Sequence, residues 1–167
     1  MQYPDKYTLI EQLQLESHQE GGYFRRTFAS GFSQSVEWSA DTRPAASSIY
    51  YLLTDEQPTG HWHRNRSDIM HYFQLGAPLH YHTISPTGEY QHVVLGPDLA
   101  NGHQLQLLVP GGYWKASHLP RGEYGLISEA VVPGFVVEDM DFATADDIAD
   151  LVEPVDLRAL SAFVRGL

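Results

Sequence analysis

Between Tyr23 and Glu138 the chain is written in short runs of aromatic and β-branched residues, each closed by Gly, Pro, Asn or Asp. That punctuation restricts it to a mainly β fold. Strands are expected at 23–28, 47–53, 61–64, 69–75, 79–85, 90–95, 104–109, 114–117, 124–132 and 135–138. Several connections are chemically explicit. In Ser85-Pro86-Thr87-Gly88-Glu89 the proline presets φ and the glycine supplies a permissive backbone, as a hairpin requires. Gly96 to Gly102 reads as a longer loop and Val109-Pro110-Gly111-Gly112 as a tight one. About ten short strands with regular turns make a sandwich or barrel of the jelly-roll kind.

Helical spacing occurs only at the ends. Tyr7, Leu9, Ile10, Leu13 and Leu15 recur near a helical period behind Pro4 and Asp5, which suit a helix start. From Ala143 to Val164 the period returns weakly, is interrupted by Pro154, and carries Asp146, Asp147, Asp150 and Glu153 on a solvated face. This stretch reads as a C-terminal helical cap. At 167 residues the chain suits one domain, 1–167, with a core over about 20–140.

Composition narrows the partners. The net charge of −11 argues against nucleic acid, whose recognition rests on a basic footprint. The absence of cysteine removes disulfides, thiolate nucleophiles and Cys-ligated zinc. No basic start leads into an apolar run and no window reaches about 18 uninterrupted apolar residues. A cytoplasmic protein with no membrane partner is the expectation.

The chemistry-bearing segment is Gly60-His61-Trp62-His63-Arg64-Asn65-Arg66-Ser67-Asp68, closed by Gly76. On a regular strand His61 and His63 point to one side and can converge on one ligand or ion. Imidazole serves metal ligation and acid/base work alike. A pair of satisfied polar residues on a half-exposed strand has the same spacing. Asp68 fits a third metal ligand, an orienting partner for an imidazole, or an ion pair with Arg64 or Arg66. His80 and His82 share a face and could reinforce the pair. Arg25, Arg26 and Arg64 suit anion recognition, and Tyr50, Tyr51 and Trp62 suit stacking on a sugar or base, although aromatics at strand spacing also serve as core.

The His61-x-His63-x4-Asp68 segment with Gly76 resembles the first motif of the cupin superfamily, and Pro110-Gly111-Gly112-Tyr113-Trp114-Lys115 resembles the second. His18-Gln19-Glu20-Gly21-Gly22-Tyr23-Phe24-Arg25, Ser47 to Leu53, Trp62-His63-Arg64 with Ser67-Asp68, and Val132-Pro133-Gly134-Phe135 resemble one small cupin family catalogued as a domain of unknown function. The resemblance implies a jelly-roll barrel, a pocket in its mouth and a homodimer. It implies no particular reaction.

Departures from the pattern shape the functional expectation. Lys115 stands where metal cupins place their last histidine, and a protonated amine repels a cation, so a divalent metal cofactor is disfavoured. His118, four residues beyond Trp114, is a substitute ligand only if the strand bulges. His71 stands where the family comparison suggests a tryptophan, and Gly60 where it suggests a serine. The leading expectation is a small polar or anionic ligand bound in the barrel, with isomerisation or epimerisation of a sugar or nucleotide sugar. His63 and Asp68 would be catalytic, and Arg25, Tyr50, Arg64, His71 and Lys115 would bind the ligand. The alternatives are a non-catalytic binding protein and a metal-dependent oxygenase or hydrolase using His61, His63 and Asp68.

Overall fold

Asp5 begins the first helix by accepting the Thr8 N–H at 2.8 Å, and α1 runs over Lys6–Gln12. Gln14, at φ 53°, stops it short of Leu15. The computed structural model describes residues 3–149 and 160–166. After α1 come β1 (Glu16–Ser17), β2 (Tyr23–Ala29), β3 (Ser33–Val36), β4 (Ser39–Pro44), β5 (Ser47–Thr54), β6 (Thr59–Asn65) and β7 (Asp68–Gly76). They are followed by β8 (Leu79–Ile84), β9 (Tyr90–Leu95), β10 (Gln106–Val109), β11 (Trp114–His118), β12 (Tyr124–Val132), β13 (Met140–Phe142) and α2 (Ala145–Ala149).

Two antiparallel sheets form the body, in the orders β1-β2-β5-β12-β7-β10 and β13-β6-β11-β8-β9, and β3-β4 is a separate hairpin. Alternation along the strands separates three apolar clusters. Tyr51, Leu53, Leu79, Tyr81, Leu95 and Ile127 meet between the sheets. Leu52, Tyr124 and Leu126, on the other side of the first sheet, receive Leu9 and Leu13. Trp62, Ile84 and Trp114, on the outer side of the second sheet, are covered by Ala143, Ile148, Leu160 and Val164. The architecture is mainly β, two antiparallel sheets packed face to face with a helix near each end.

Two local expectations change. A turn over Val137–Asp139 replaces the strand expected at 135–138, and the strand forms at Met140–Phe142, against β6. Asp139 holds the turn: its carboxylate takes Arg43 Nε at 2.8 Å and Nη2 at 2.9 Å, and its carbonyl takes the Arg66 N–H. The β3-β4 hairpin was not expected, because its strands are nearly all polar and exposed. Of the C-terminal cap, α2 and residues 160–166 are described, whereas Asp150, Glu153 and Pro154 lie outside the described residues. Among the described residues no helix is long and apolar enough to cross a membrane.

Candidate functional site

A bulge in β6 decides which histidine enters the barrel. Against β11, His63 faces Lys115 but Gly60 faces Ser117, so His61 and Trp62 together oppose Ala116. The simple alternation expected for His61 and His63 is therefore broken. The His61 ring lies with Nδ1 3.3 Å from the Phe163 carbonyl, near the C-terminal segment. The His63 ring turns between the sheets, where it is 4% exposed. Gly60 permits the bulge: a Cβ there would lie 2.4 Å from Ser117 Oγ and 2.6 Å from the Tyr51 hydroxyl.

Glu20 arrives from the turn before β2. At Gly21 (φ +99°) the chain passes so close to Thr59 that a Cβ would lie 2.1 Å from its carbonyl oxygen. The Glu20 carbonyl accepts the His61 N–H at 2.7 Å, and the Gly21 carbonyl accepts the Tyr51 hydroxyl at 3.0 Å. These bonds set the Glu20 carboxyl 3.1 Å from His63 Nε2 and 3.6 Å from His18 Nδ1.

Protonation states follow from partners and burial. His63 Nδ1 donates to the His61 carbonyl at 2.7 Å. Burial, then Lys115, holds the His63 imidazole well below its ordinary range, so Nε2 carries a bare lone pair. Burial also pushes the Glu20 carboxyl up to about 8. A protonated carboxyl thus faces a buried nitrogen with no other hydrogen-bond partner. The Glu20 proton is the natural occupant of the gap. His18, lowered by burial to about 4, accepts the Glu20 N–H through Nδ1 at 3.2 Å.

A second group spans the two sheets, with Lys115 beside His63 on one and His71 and Glu129 on the other. Lys115 Nζ donates to His71 Nε2 at 2.9 Å and lies 3.5 Å from Glu129 Oε1. His71 Nδ1 donates to the Leu107 carbonyl at 3.1 Å, which leaves Nε2 as the acceptor for the ammonium. Burial works to raise Glu129, but Lys115 and then His71 outweigh it and keep the carboxylate ionised. Glu20, His63, Lys115 and Glu129, together with Tyr51, Tyr81 and Ser117, line a tight chamber that has no room for a water molecule as it stands. The buried Tyr81 hydroxyl has no hydrogen-bond partner. A neighbouring narrow cleft with about 30 Å³ of free room, partly open to solvent, shares Glu20, Lys115 and Glu129 and is walled by Phe24, Arg26, Ile49 and Phe135.

The other expected site residues lie elsewhere. Asp68 is exposed and accepts the Gly111 N–H at 2.8 Å. Arg64 covers the Trp114 ring from 4.5 Å and pairs with Asp141 on the outer surface. Arg25 bonds Gln14 at 3.1 Å and, 5.9 Å away, overlies Tyr50, which packs under α1. Arg26 is the arginine that lines the cleft. His80, His82 and His118 sit on the outer side of the second sheet, away from His63.

The chamber does not fit a divalent ion at the cupin position. The Lys115 ammonium occupies the second-motif place and engages His71 Nε2 and Glu129 Oε1, the donors a cation needs. Among the described residues no three His, Asp or Glu side chains converge on one metal position. Sequence reading missed Glu20 and Glu129. Glu20 sits in a Glu-Gly-Gly segment that reads as a turn, while Glu129 is the lone acid of an otherwise apolar strand, which is the one available signal.

The chain is 40% identical over 160 residues to the uncharacterized protein YML079W of Saccharomyces cerevisiae, a match spanning 87% of this chain and 79% of that protein. Its fold matches protein SO0799 from Shewanella oneidensis with a TM-score of 0.86 and 31% identity, over 98% of this chain and 99% of that one. A hypothetical protein from Leishmania major matches with a TM-score of 0.87 and 29% identity, over 96% and 99% of the two chains. A dTDP sugar isomerase from Desulfovibrio desulfuricans shares the fold alone, with a TM-score of 0.56 and 15% identity over 89% of this chain and 98% of that one. The family described as Cupin superfamily (DUF985) matches residues 7–143, a span that includes Glu20, His63, His71, Lys115 and Glu129, and the chain belongs to it.

Proposed function

We propose that the protein binds the carbonyl end of a small polar or anionic molecule in the chamber between its sheets and moves a proton on it, as a sugar isomerase does. The observation that carries this reading is the protonated Glu20 carboxyl 3.1 Å from the lone pair of neutral His63. It is an acid and a base side by side, away from bulk water. His63 Nε2 takes a proton from the carbon beside the carbonyl, and the electron pair moves onto the carbonyl oxygen. Lys115 has one N–H beyond those used for His71 and Glu129, and it faces the developing oxyanion. Glu20 returns a proton to the substrate, and the resulting imidazolium restores it across the gap.

Acid and base lie on one side of the substrate, so a proton shift along one face is favoured over epimerisation, which needs groups on opposite faces. The chamber has no room for a water molecule as it stands, so its side chains must part to admit even the reacting end. A phosphate or the rest of a sugar would lie in the cleft against Arg26. Asp68 has no role in this scheme.

Thermal-shift screening against sugar phosphates, organic acids and nucleotide sugars tests binding, since a ligand at about 100 times its Kd adds about 2.7 kcal/mol. A hit should lose its stabilisation in His63→Ala and Lys115→Met; retention in both sinks the assignment. Deuterium uptake from D2O at the carbon beside the carbonyl separates turnover from binding. A bound hit that never exchanges identifies a non-catalytic binding protein, the second reading compatible with this chamber.

A further inference from the structure

The outer side of the second sheet carries four histidines that the proposed reaction does not use. Cross-strand register brings them together: His118 pairs with His80, and His82 with His92. Around the group, ring centroids are 4.9 Å apart for His80 and His92, 5.0 Å for His92 and His82, 5.2 Å for His82 and His118, and 5.1 Å for His118 and His80. The rings form a closed quadrilateral. One nitrogen of each meets one of a neighbour: His82 Nε2 is 3.2 Å from His118 Nδ1, and His92 Nε2 is 3.0 Å from His80 Nδ1.

These separations match a metal's coordination shell. At metal–nitrogen distances of about 2.0–2.1 Å, two imidazole nitrogens lie about 3.3 Å apart in tetrahedral geometry and about 2.9 Å apart when cis in a square plane. Four imidazoles around a tetrahedral ion place their ring centres about 5 Å apart. We propose that His82 and His118 bind a divalent transition-metal ion of the imidazole-preferring series, Zn2+, Ni2+ or Cu2+, with His80 and His92 turning in to complete the shell. No three nitrogens yet share a centre, so the ion enters at the facing pair.

The surroundings suit such a site. His82 Nδ1 lies 2.7 Å from the Tyr90 hydroxyl, the kind of outer contact that fixes a ligand ring, and its Nε2 points at His118 Nδ1. Phe163 stacks on His82 and on His118 at 5.1 Å each, closing one side. His92 is exposed and His80 partly so, which leaves an entry path.

The test is equilibrium dialysis of the untagged full chain against ZnCl2, NiCl2 or CuCl2, with metal analysis, and electron paramagnetic resonance of the Cu2+ form. One ion per chain is expected, with nitrogen hyperfine structure from three or four imidazoles. His82→Gln and His118→Asn should each weaken binding at least about tenfold, a loss typical even of an outer-sphere partner. His63→Gln should leave the affinity within about twofold. Unchanged binding in both cluster variants overturns the proposal, and so does loss of binding in His63→Gln, which would place the ion inside the barrel. If the buried His82 variant fails to fold, the exposed His92→Gln decides: the copper spectrum must lose one nitrogen, and an unchanged spectrum is fatal to the site.

Discussion

The second sheet has histidines on both faces, His63 inside, where His71 of the facing sheet joins it, and four outside, and the two groups differ in what surrounds them. Inside, His63 and His71 meet Glu20, Lys115 and Glu129, and each ring has a defined tautomer set by a backbone carbonyl. Outside, His80, His82, His92 and His118 meet mainly one another, together with Tyr90 and Phe163. Charged partners turn the inner rings into positioned acceptors for protons. Their scarcity leaves the outer rings facing mainly one another, nitrogen to nitrogen. The chemistry of a histidine is thus set by its neighbours more than by its strand, since β8 and β11 contribute to both faces.

The sharpest way to break this contrast is Lys115→Met. It leaves Glu129 buried without its cation and should cost about 3–5 kcal/mol in urea unfolding. Adding Glu129→Gln should recover much of the loss; no recovery would mean that Lys115 stabilises the fold by packing alone.

Glu20→Gln probes the other inner pair through pH. Between the unfolded value near 4.5 and the folded value of about 8, the native chain keeps a proton that the unfolded chain releases. Stability therefore falls as pH rises through that window. Glutamine should remove this decline, raising stability at pH 8 relative to pH 5 by an amount on the order of a few kcal/mol. A parallel pH profile in the variant would show that Glu20 is not held protonated.

The outer group has the opposite slope. His82 is lowered to about 3 by burial and by His118, so in the window from 6.5 down to about 3 the unfolded chain binds the extra proton. Stability is lost as pH falls through it. His82→Gln should reduce that acid loss by about 1 kcal/mol, read from urea midpoints at pH 7 and pH 4.5. The smallest effect belongs to Asp68→Ala. It removes the acceptor of the Gly111 N–H and should cost about 0.5–1 kcal/mol, leaving any ligand-induced thermal shift intact. Loss of that shift would bring Asp68 back into the site.

Much of the barrel was legible because its strands alternate and its turns carry Pro and Gly at the needed positions. The β3-β4 hairpin escaped because a strand exposed on both faces has no hydrophobic period. The site was half legible. His63, His71 and Lys115 stand out in strands, but Glu20 reaches the chamber through backbone contacts at Gly21 that spacing does not reveal. His61 was misread for a related reason: one extra residue in β6 breaks a two-residue alternation. Asp68, attractive by motif, is engaged by a backbone N–H on the surface.

Trp62 and Trp114 lie almost fully buried on the outer side of the two strands that carry His63 and Lys115 inward, whereas Trp38 is 37% exposed. The chain therefore carries its own optical probe. Its three indoles divide into two sheltered emitters backing the chamber and one water-exposed emitter in a separate hairpin. In a Trp38→Phe protein, emission comes only from the pair behind the site, so filling the barrel can be followed by intrinsic fluorescence without any label.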